Sequence, residues 1–375
     1  MNVFLVNPVS GIDQLLNQAL TDLKSTSFLI QNERTNSEIM EILGYTVNSL
    51  EPRDRIIRNT SRKNNLVAQI AETAWIMGGK SDLKYLSPFL PRAVDFSDNG
   101  ETWRAGYGPR IADLTYIPPE GFFIQTSASK FSEIYTEQRN VNQLKNVYDI
   151  LTLDPSSRQA FIVVPLPGDN LTSNETKDTP CTLAIQFIVR DGKLHCFTDM
   201  RSNDVIWGTS GINYFEWTFI QEILANLLGL EIGVYTHKSG SFHIYSRHYK
   251  MADKIIDSYD KVSKFNSNDH LPIKTLHYVD FEDTLRVYFK LFRMIQDEGQ
   301  DPSLRKELWE LVVSFYDRNS LAIYLSVPLM ELLNKQKEFT KKELGTAKFL
   351  LERYKYLYEG LLKSNKFFLK GKLNN

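Results

Sequence analysis

A cysteine and an arginine–serine pair lie 20 residues apart near the middle of this sequence, and together they could attack a phosphorylated substrate. Cys181 follows a proline directly before a β-rich run, and Arg201 and Ser202 come after a hairpin pattern. A guanidinium beside a hydroxyl suits a phosphate, and a nearby cation favours a thiolate. The plainer interpretation is a small apolar residue at the start of a buried strand and a polar junction between strand and loop.

Three further side chains carry the hydrogen-bonding groups that recognition of a nucleoside requires. Asn213 begins an amphipathic helical pattern, so it could cap that helix, or its amide could donate to and accept from a heterocycle. His243 and Tyr245 are two residues apart in a strand pattern, which puts both on one face, where they could hold a sugar hydroxyl. The alternative for His243 is an ordinary core or surface histidine.

Glu72 lies inside a mostly apolar helical pattern. The apolar residues of segment Asn65–Met77 recur at helical spacing, and Gly78 and Gly79 supply a stop signal. A glutamate in such a helix is costly unless it has a partner or a role. Glu72 is therefore a candidate functional carboxyl group.

The elements that must position these side chains mix strand and helix patterns up to about residue 249. The predicted elements are a strand at Ala160–Pro165, a hairpin of Leu183–Arg190 and Lys193–Met200 around Asp191-Gly192, a helix at Tyr214–Leu228, and a strand pair within Glu231–Tyr245 that turns at Ser239-Gly240. Helices are predicted farther on at Lys250–Phe265, Phe281–Asp297, Pro302–Asp317 and Lys341–Leu362. We therefore expect an α+β catalytic domain over residues 1–275 and a helical C-terminal extension over residues 276–375.

Composition indicates an ordinary globular protein and gives no reason to expect charged partners. The 375 residues are 42% hydrophobic, and Lys+Arg 44 against Asp+Glu 45 give a formal net charge of −1. We expect no nucleic acid and no membrane as partner, since no apolar run approaches the roughly 20 residues that span a bilayer. With only two cysteines, we do not expect a disulfide framework. This favours a protein of the reducing cytoplasm, which would be the host-cell cytoplasm if the source is a virus.

These motifs, in this order and at nearly this spacing, resemble the thymidylate synthase family, which includes the pyrimidine nucleotide hydroxymethylases. The central matches are Pro180-Cys181, Gln186-Phe187, Arg201-Ser202-Asn203-Asp204, Gly208, Asn213 and His243-Ile244-Tyr245. The upstream matches are Arg34-Thr35, Glu72 shortly before Trp75, Tyr107-Gly108, and the loop from Asp154 to Arg158. The resemblance covers roughly residues 30 to 250 and implies a thymidylate synthase-like mixed sheet with flanking helices.

The resemblance implies covalent catalysis at C5 of a uracil nucleotide. Cys181 would add to C6 and make C5 a nucleophile for the one-carbon unit of 5,10-methylenetetrahydrofolate, the cofactor of this family. Glu72, acting through ordered water, would manage the protons, with Tyr107 in the same hydrogen-bond network. We expect no metal.

The same resemblance assigns the binding residues. Arg34, Arg158, Arg201 and Ser202 would hold the nucleotide phosphate, and His243 and Tyr245 would hold the 3′-hydroxyl. Asp204 would contact the pterin, and Gly208 would line its site. Asn213 would read the base, where Asn suits uracil and Asp suits cytosine, so dUMP is favoured over dCMP. The stretch from Gly208 to Asn213 is one residue longer than usual, which predicts a small loop insertion.

The quaternary structure is also implied by the resemblance. The family buries one face of the sheet in a two-fold dimer, so we expect a homodimer. Arg158 would then complete the phosphate site of the partner subunit.

The sequence departs in four places from the family members that methylate dUMP, and these departures concern what happens to the one-carbon unit once it is attached to C5. Thr182 stands where those enzymes carry His, Gln159 replaces a second Arg, Trp103 is displaced from a place beside Asp95, and the helical extension stands where they carry a short closing tail. A pocket that admits water would yield 5-hydroxymethyl-dUMP, so we expect a dUMP hydroxymethylase. The open alternatives are thymidylate synthase, hydroxymethylation of a cytidine nucleotide, and a non-catalytic nucleotide- or RNA-binding module.

Overall fold

The computed structural model describes residues 4–32, 36–116, 123–124, 133–134, 139–170, 175–270, 272–274, 277–365 and 367–370. The strands are β1 (Pro8–Val9), β2 (Phe28–Asn32), β3 (Ser37–Ser49), β4 (Leu114–Tyr116), β5 (Phe123–Ile124), β6 (Glu133–Ile134), β7 (Arg139–Val141), β8 (Phe161–Val163), β9 (Thr182–Arg190), β10 (Lys193–Asp204) and β11 (Glu231–Tyr245). The helices are α1 (Ile12–Thr26), α2 (Leu66–Met77), α3 (Leu83–Leu86), α4 (Tyr107–Ala112), α5 (Gln143–Leu153), α6 (Tyr214–Leu227), α7 (Tyr249–Asp257), α8 (Tyr278–Glu298), α9 (Pro302–Tyr316), α10 (Ser320–Gln336), α11 (Lys341–Glu352) and α12 (Lys355–Lys363).

A mixed sheet with flanking helices forms the centre of the fold, which confirms the predicted fold class. Its strand order is β1–β3–β11–β10–β9–β8, with β2 pairing along β3. Strand β10 runs parallel to β11 and antiparallel to β9. The C-terminal ends of β10 and β11 therefore meet the N-terminal end of β9 at one end of the sheet.

Two buried helices carry side chains towards that end of the sheet. Helix α6 packs against β10 and β11, and α2 packs on α6. Helix α2 begins at Asn65, whose side chain accepts a hydrogen bond from the N–H of Ala68, and it ends at Gly78. The two helices predicted in these segments are confirmed.

The strand predictions are partly confirmed. The hairpin turn at Asp191-Gly192 has φ values of 51° and 71°, which suit a two-residue turn. The strand pair predicted within Glu231–Tyr245 is wrong, because β11 is one continuous strand of 15 residues. Gly240 serves close packing there, since a Cβ on it would lie 3.0 Å from the carbonyl oxygen of Arg201.

The C-terminal helices form a layer against α2. Helix α10 contacts α2, α8 and α9, and its residues from Leu321 to Leu333 are buried. It escaped prediction because Pro328 lies within it and because a helix buried on all sides lacks an amphipathic period. The single helix predicted over Lys341–Leu362 is two helices, α11 and α12, and the one predicted from Lys250 ends at Asp257.

Buried polar contacts join these C-terminal helices to the N-terminal part of the chain. The Tyr356 hydroxyl accepts a hydrogen bond from the N–H of Ile56, 2.8 Å away, and donates to Oδ1 of Asp54, 3.2 Å away. Ser364 accepts from the N–H of Leu66 at the start of α2, 3.1 Å away. One hydrophobic core includes residues from both parts, and the division into domains at residue 275 stays a prediction.

Candidate active site

The sheet brings the motifs of distant segments together. The N–H of Arg201 donates to the carbonyl oxygen of Cys181, 2.8 Å away, where β9 begins beside β10. In the parallel pair of β10 and β11, Asp204 lies opposite His243. The cysteine, the arginine–serine pair and the histidine–tyrosine pair therefore share one end of the sheet.

A cavity of about 790 Å³ lies at this end of the sheet. The predicted site residues in its wall are Glu72, Tyr107, Cys181, Arg201, Ser202, Asp204, Gly208, Asn213, His243 and Tyr245. Arg158 is exposed and does not line this cavity, and Arg34 lies outside the described residues. The structure thus gathers the predicted catalytic and base-reading residues, together with two of the four predicted phosphate ligands.

The candidate nucleophile has a cation beside it. Nη2 of Arg201 lies 3.7 Å from Sγ of Cys181, and Cys181 is half-buried. The same guanidinium donates to the backbone carbonyls of Pro180 and Thr179, at 2.8 Å and 2.9 Å. The backbone therefore fixes a positive charge next to the thiol, which favours the thiolate form.

Tyr107 contacts the backbone directly after the cysteine. Its hydroxyl accepts a hydrogen bond from the N–H of Thr182, 3.1 Å away, and its ring stacks on Trp217. Burial, with Cys181 as a neighbour, raises the pKa of Tyr107 above its ordinary value, so the hydroxyl stays protonated. The Thr182 hydroxyl instead donates to Sδ of Met200, 3.1 Å away, and Thr182 is fully buried outside the cavity wall.

Two carboxyl groups face the cavity from adjacent helices. Glu72 on α2 and Glu216 on α6 both line it. Removal from water raises the pKa of Glu72 to about 7, so this group can gain or lose a proton near neutral pH. Burial and repulsion by Glu72 raise the pKa of Glu216 well above its usual range, which keeps Glu216 protonated. The sequence analysis did not identify Glu216 as a site residue. The pattern that could have indicated it is a glutamate in an apolar helix, as for Glu72, three residues after Asn213.

The extra residue before Asn213 is accommodated in a π-helix, Val205–Asn213, and not in a loop. A π-helical turn takes one more residue than an α-helical turn, so the chain absorbs the insertion while keeping its hydrogen bonds. Asn213 has helical backbone angles and makes no side-chain cap, which makes the helix-cap interpretation wrong. Its amide lies in the cavity wall.

Strand β11 contributes groups to the cavity wall that could hold a sugar. The rings of His243 and Tyr245 meet edge to face, 5.1 Å apart, which puts both on one face of β11. Nδ1 of His243 is buried and has no hydrogen-bond partner among the described residues. Arg247, which the sequence reasoning missed, lies over the Tyr245 ring at 4.0 Å and also lines the cavity.

A second cavity of about 410 Å³ adjoins the first and shares Glu72, Trp103 and Trp207 with it. Asp204, which lines the first cavity, accepts at Oδ1 from the N–H of Ile206, while its Oδ2 is buried with no partner among the described residues. Trp103 reaches both cavities in spite of its displaced position in the sequence. Aromatic walls and an unsatisfied carboxylate oxygen fit a flat ring that carries N–H donors.

Neither a metal cluster nor a membrane-spanning segment is found in the part of the chain that the structure describes. No group of three or more His, Cys, Asp or Glu side chains there is arranged to hold a metal ion. Likewise, none of the described helices combines the length and the apolar composition that crossing a membrane requires.

Comparison with known proteins finds one family and several curated relatives. Residues 18–291 match the sequence model of the family described as thymidylate synthase. A protein named deoxyuridylate hydroxymethyltransferase from Bacillus phage SP01 is 34% identical over 248 residues, which are 66% of this chain and 60% of that protein. Proteins of the same name from Delftia phage PhiW-14 and Pseudomonas phage M6 are each 28% identical, over 73% and 63% of this chain and 71% and 60% of theirs. The chain thus spans about three fifths of the length of the first relative.

Proposed function

The chain belongs to the thymidylate synthase family, and on this premise we propose that it hydroxymethylates C5 of dUMP with 5,10-methylenetetrahydrofolate as one-carbon donor. The observation that carries the proposal is the convergence of Cys181, Glu72 and Asn213 on one cavity. The names of the phage relatives support the same substrate and product. The proposed location is the cytoplasm, because the mechanism needs a free thiol.

Cys181 begins the proposed reaction. Its thiolate adds to C6 of the uracil ring, and the electrons of the C5–C6 double bond move towards O4 and make C5 nucleophilic. Arg201, 3.7 Å from Sγ, stabilises the thiolate before the attack. The C6–S bond breaks again when the product forms, which returns Cys181 as the leaving group.

Glu72 handles the protons in this scheme. With a pKa of about 7 it can donate through water towards O4 as charge develops there, and can then accept the proton that leaves C5. Tyr107, held protonated, belongs to the same polar wall. Glu72 can pass the C5 proton on to the folate nitrogen as the bond between that nitrogen and the one-carbon unit breaks, which leaves an exocyclic methylene on C5. Glu72, again a carboxylate, can then accept the proton released when water adds to the methylene carbon and the C6–S bond breaks.

Substrate binding is divided among several groups of residues in the cavity wall and, for the phosphate, a residue of the partner subunit. Arg201 and Ser202 are proposed to hold the phosphate, with Arg34 of the same subunit and Arg158 of the partner. His243 and Tyr245 are proposed to hold the 3′-hydroxyl, and the unpartnered Nδ1 of His243 supports this role. Asn213 is proposed to read the uracil edge.

The proposed folate site is the second cavity together with the part of the first cavity that Asp204 and Gly208 line. Asp204 would accept from the pterin through its unpartnered Oδ2, and Trp103 and Trp207, which line both cavities, would pack on the ring. When bound, 5,10-methylenetetrahydrofolate supplies a one-carbon unit at the oxidation level of formaldehyde. Asp204 is already anchored by the N–H groups of Ile206 and Trp207, so little reorganisation is needed on binding.

The proposed product depends on what lies against the reacting carbon. Thr182, where methylating enzymes carry His, turns its hydroxyl to Met200 and leaves no side chain of its own in the cavity. We infer that the part of the cavity that a histidine side chain would fill in the methylating enzymes is open here and admits the attacking water. One observation favours thymidylate synthase as the second candidate: Trp103 lines both cavities and could exclude water as the tryptophan of the methylating enzymes does.

A homodimer is proposed from the outer face of the sheet. Phe161 and Val163 on β8 are 52% and 44% exposed on this face, and neighbouring Gln186 lies opposite Phe161. Nε2 of Gln186 donates to the carbonyl oxygen of Arg158, 2.9 Å away, so Arg158 adjoins the same apolar face. A second copy packed there would cover the apolar face and bring Arg158 to the partner's side.

Product analysis tests the proposed function. The protein is incubated with dUMP and 5,10-methylenetetrahydrofolate, and nucleotides and folates are separated by chromatography and identified by mass. The proposal expects 5-hydroxymethyl-dUMP and tetrahydrofolate. Formation of dTMP and dihydrofolate would establish the second candidate instead.

A further inference from the structure

The amide of Asn213 is held at both ends by buried side chains. Nδ2 of Asn203 donates to Oδ1 of Asn213 over 2.7 Å, and Nδ2 of Asn213 donates to Oε1 of Glu216 over 2.8 Å. All three residues are at most 5% exposed. The N–H donor of Asn203 requires the amide oxygen on its side, whereas protonated Glu216 can accept from or donate to the other end of the amide.

Asn203 is itself oriented by two donors. The Thr209 hydroxyl donates to Oδ1 of Asn203, and Nε2 of His237 lies 3.3 Å from the same oxygen. Burial lowers the pKa of His237 to about 4, so the ring is neutral and carries one proton. The Tyr235 hydroxyl lies 2.9 Å from Nδ1 of His237, and donation to Nδ1 leaves the ring proton on Nε2, facing Asn203.

The chain of hydrogen bonds therefore runs in one direction, from Tyr235 through His237, Asn203 and Asn213 to Glu216. Reversal of the Asn213 amide would set its NH2 group against that of Asn203, unless Asn203 reversed as well. A reversed Asn203 would in turn direct its NH2 group at the N–H of His237. Each step would leave a buried polar group unsatisfied, which is unfavourable.

Gly208 leaves room for this arrangement. A Cβ at this position would lie 2.6 Å from Nδ2 of Asn203 and 3.1 Å from Oδ1 of Asn213. A side chain there would push the two amides apart. The glycine that lines the proposed folate site therefore also keeps the pair in contact.

The held amide still has one hydrogen on Nδ2 and one lone pair on Oδ1 to offer to a ligand in the cavity. Uracil presents an N3–H donor beside an O4 acceptor, whereas cytosine presents an N3 acceptor beside an amino donor. A fixed amide can complement only one of these edges, and a freely turning amide could complement both.

We propose that Asn203 is the positioning residue that holds the Asn213 amide in the orientation for uracil, with Glu216 as the partner of its NH2 group, and thereby sets the preference for dUMP over dCMP. This inference rests on the proposed function. It adds that the discrimination resides in the buried groups behind Asn213, which do not touch the base.

Asn203→Asp tests the inference, because a carboxylate can only accept where Asn203 now donates. Asn213 is then expected to turn its NH2 group towards residue 203, with protonated Glu216 able to donate to its oxygen. Binding of dUMP and of dCMP is measured by calorimetry without folate, for the wild-type protein, for Asn203→Asp and for the exposed control Asn268→Asp. The expected result is a fall of about tenfold or more in the dUMP-to-dCMP affinity ratio for Asn203→Asp only.

An unchanged ratio in a folded Asn203→Asp variant, with a wild-type protein that prefers dUMP, would overturn this inference and leave the proposed function intact. A wild-type protein that binds neither nucleotide would overturn both. If Asn203→Asp does not fold, Asn203→Ala decides the matter. Loss of the Asn203 donor lets the Asn213 amide turn and should lower the ratio, and an unchanged ratio in Asn203→Ala would overturn the inference.

Discussion

Nη2 of Arg201 lies 3.7 Å from Sγ of Cys181, while the same side chain is tied to backbone carbonyls immediately before the cysteine. The cation beside the thiol is therefore placed by the protein itself and does not wait for a bound phosphate. Such prior placement favours the thiolate and costs no reorganisation at the moment of attack.

Cys181→Ala is expected to abolish the covalent adduct with the nucleotide. Turnover should fall by about 10³-fold or more, because Cys181 is the only cysteine among the described residues that line the cavity. The adduct is detected by mass spectrometry with 5-fluoro-dUMP and methylenetetrahydrofolate, since fluorine cannot leave C5 as a cation. Cys196→Ala is the matched control, because Cys196 is fully buried in the sheet and should leave the adduct intact. Retention of full turnover in Cys181→Ala would refute the nucleophile assignment.

Glu72 should impose a pH dependence near neutrality. Its pKa is raised to about 7, so the neutral acid that donates towards O4 is lost as the pH rises through that value. Exchange of the C5 hydrogen of dUMP with deuterated water should therefore decline above about pH 7. Glu72→Gln should lower the exchange rate by about 100-fold and remove this limb of the profile. A variant that keeps the same limb would show that another group titrates.

The same carboxyl predicts an effect on stability with a defined sign. Because the folded-state pKa of Glu72 exceeds the ordinary value of 4.5, the folded protein retains this proton more strongly, and stability falls as the pH rises from about 4.5 through about 7. Glu72→Gln should lose less stability over this interval than the wild-type protein in urea denaturation. An equal loss in both proteins would contradict this prediction.

The C-terminal helices should be energetically linked to the N-terminal part through Tyr356. Tyr356→Phe removes the acceptor for the N–H of Ile56 and the donor to Asp54, both buried, and should lower the free energy of unfolding by about 1–3 kcal/mol. Chemical denaturation measures the change. Tyr148→Phe, at a half-buried tyrosine elsewhere, serves as control. An unchanged unfolding free energy in Tyr356→Phe would show that these contacts do not couple the two parts.

Arg158 should act across the dimer. Co-expression of Cys181→Ala with Arg158→Ala gives hybrid dimers in which one site has both an intact thiol and an intact arginine from its partner. With random pairing, half of the dimers are hybrids with one complete site each, so about one quarter of all sites are complete. Activity is measured at a low dUMP concentration, where loss of a phosphate ligand has its full effect. If the co-expressed protein is no more active than the amount of Arg158→Ala homodimer that it contains, Arg158 does not act in the partner's site.

The motif residues of the site could be predicted from the sequence, because each carries distinctive chemistry in a local pattern. Cys181, Arg201, Asn213 and His243 belong to this group. The parallel pairing of β10 with β11, which sets Asp204 opposite His243, could not be predicted, since it depends on strands separated by a helix. The tertiary fold, and not any local pattern, creates that contact.

Other features were hidden for physical reasons that differ from case to case. In the sequence, Glu216 is an isolated acidic residue in an apolar helix, and only the structure shows its hydrogen bond with Asn213. The only sign in the sequence of the π-helix that ends at Asn213 is the one extra residue between Gly208 and Asn213, relative to the usual spacing in the family. Trp103 is displaced in the sequence yet reaches the cavities, because position along a loop does not fix where a side chain points.

The central claim is that water completes the product at the methylene carbon, and the most direct test is the reaction in water enriched in oxygen-18. The account predicts 5-hydroxymethyl-dUMP carrying one heavy oxygen in its new hydroxyl group, together with tetrahydrofolate. Unlabelled dTMP with dihydrofolate as the main products would contradict it.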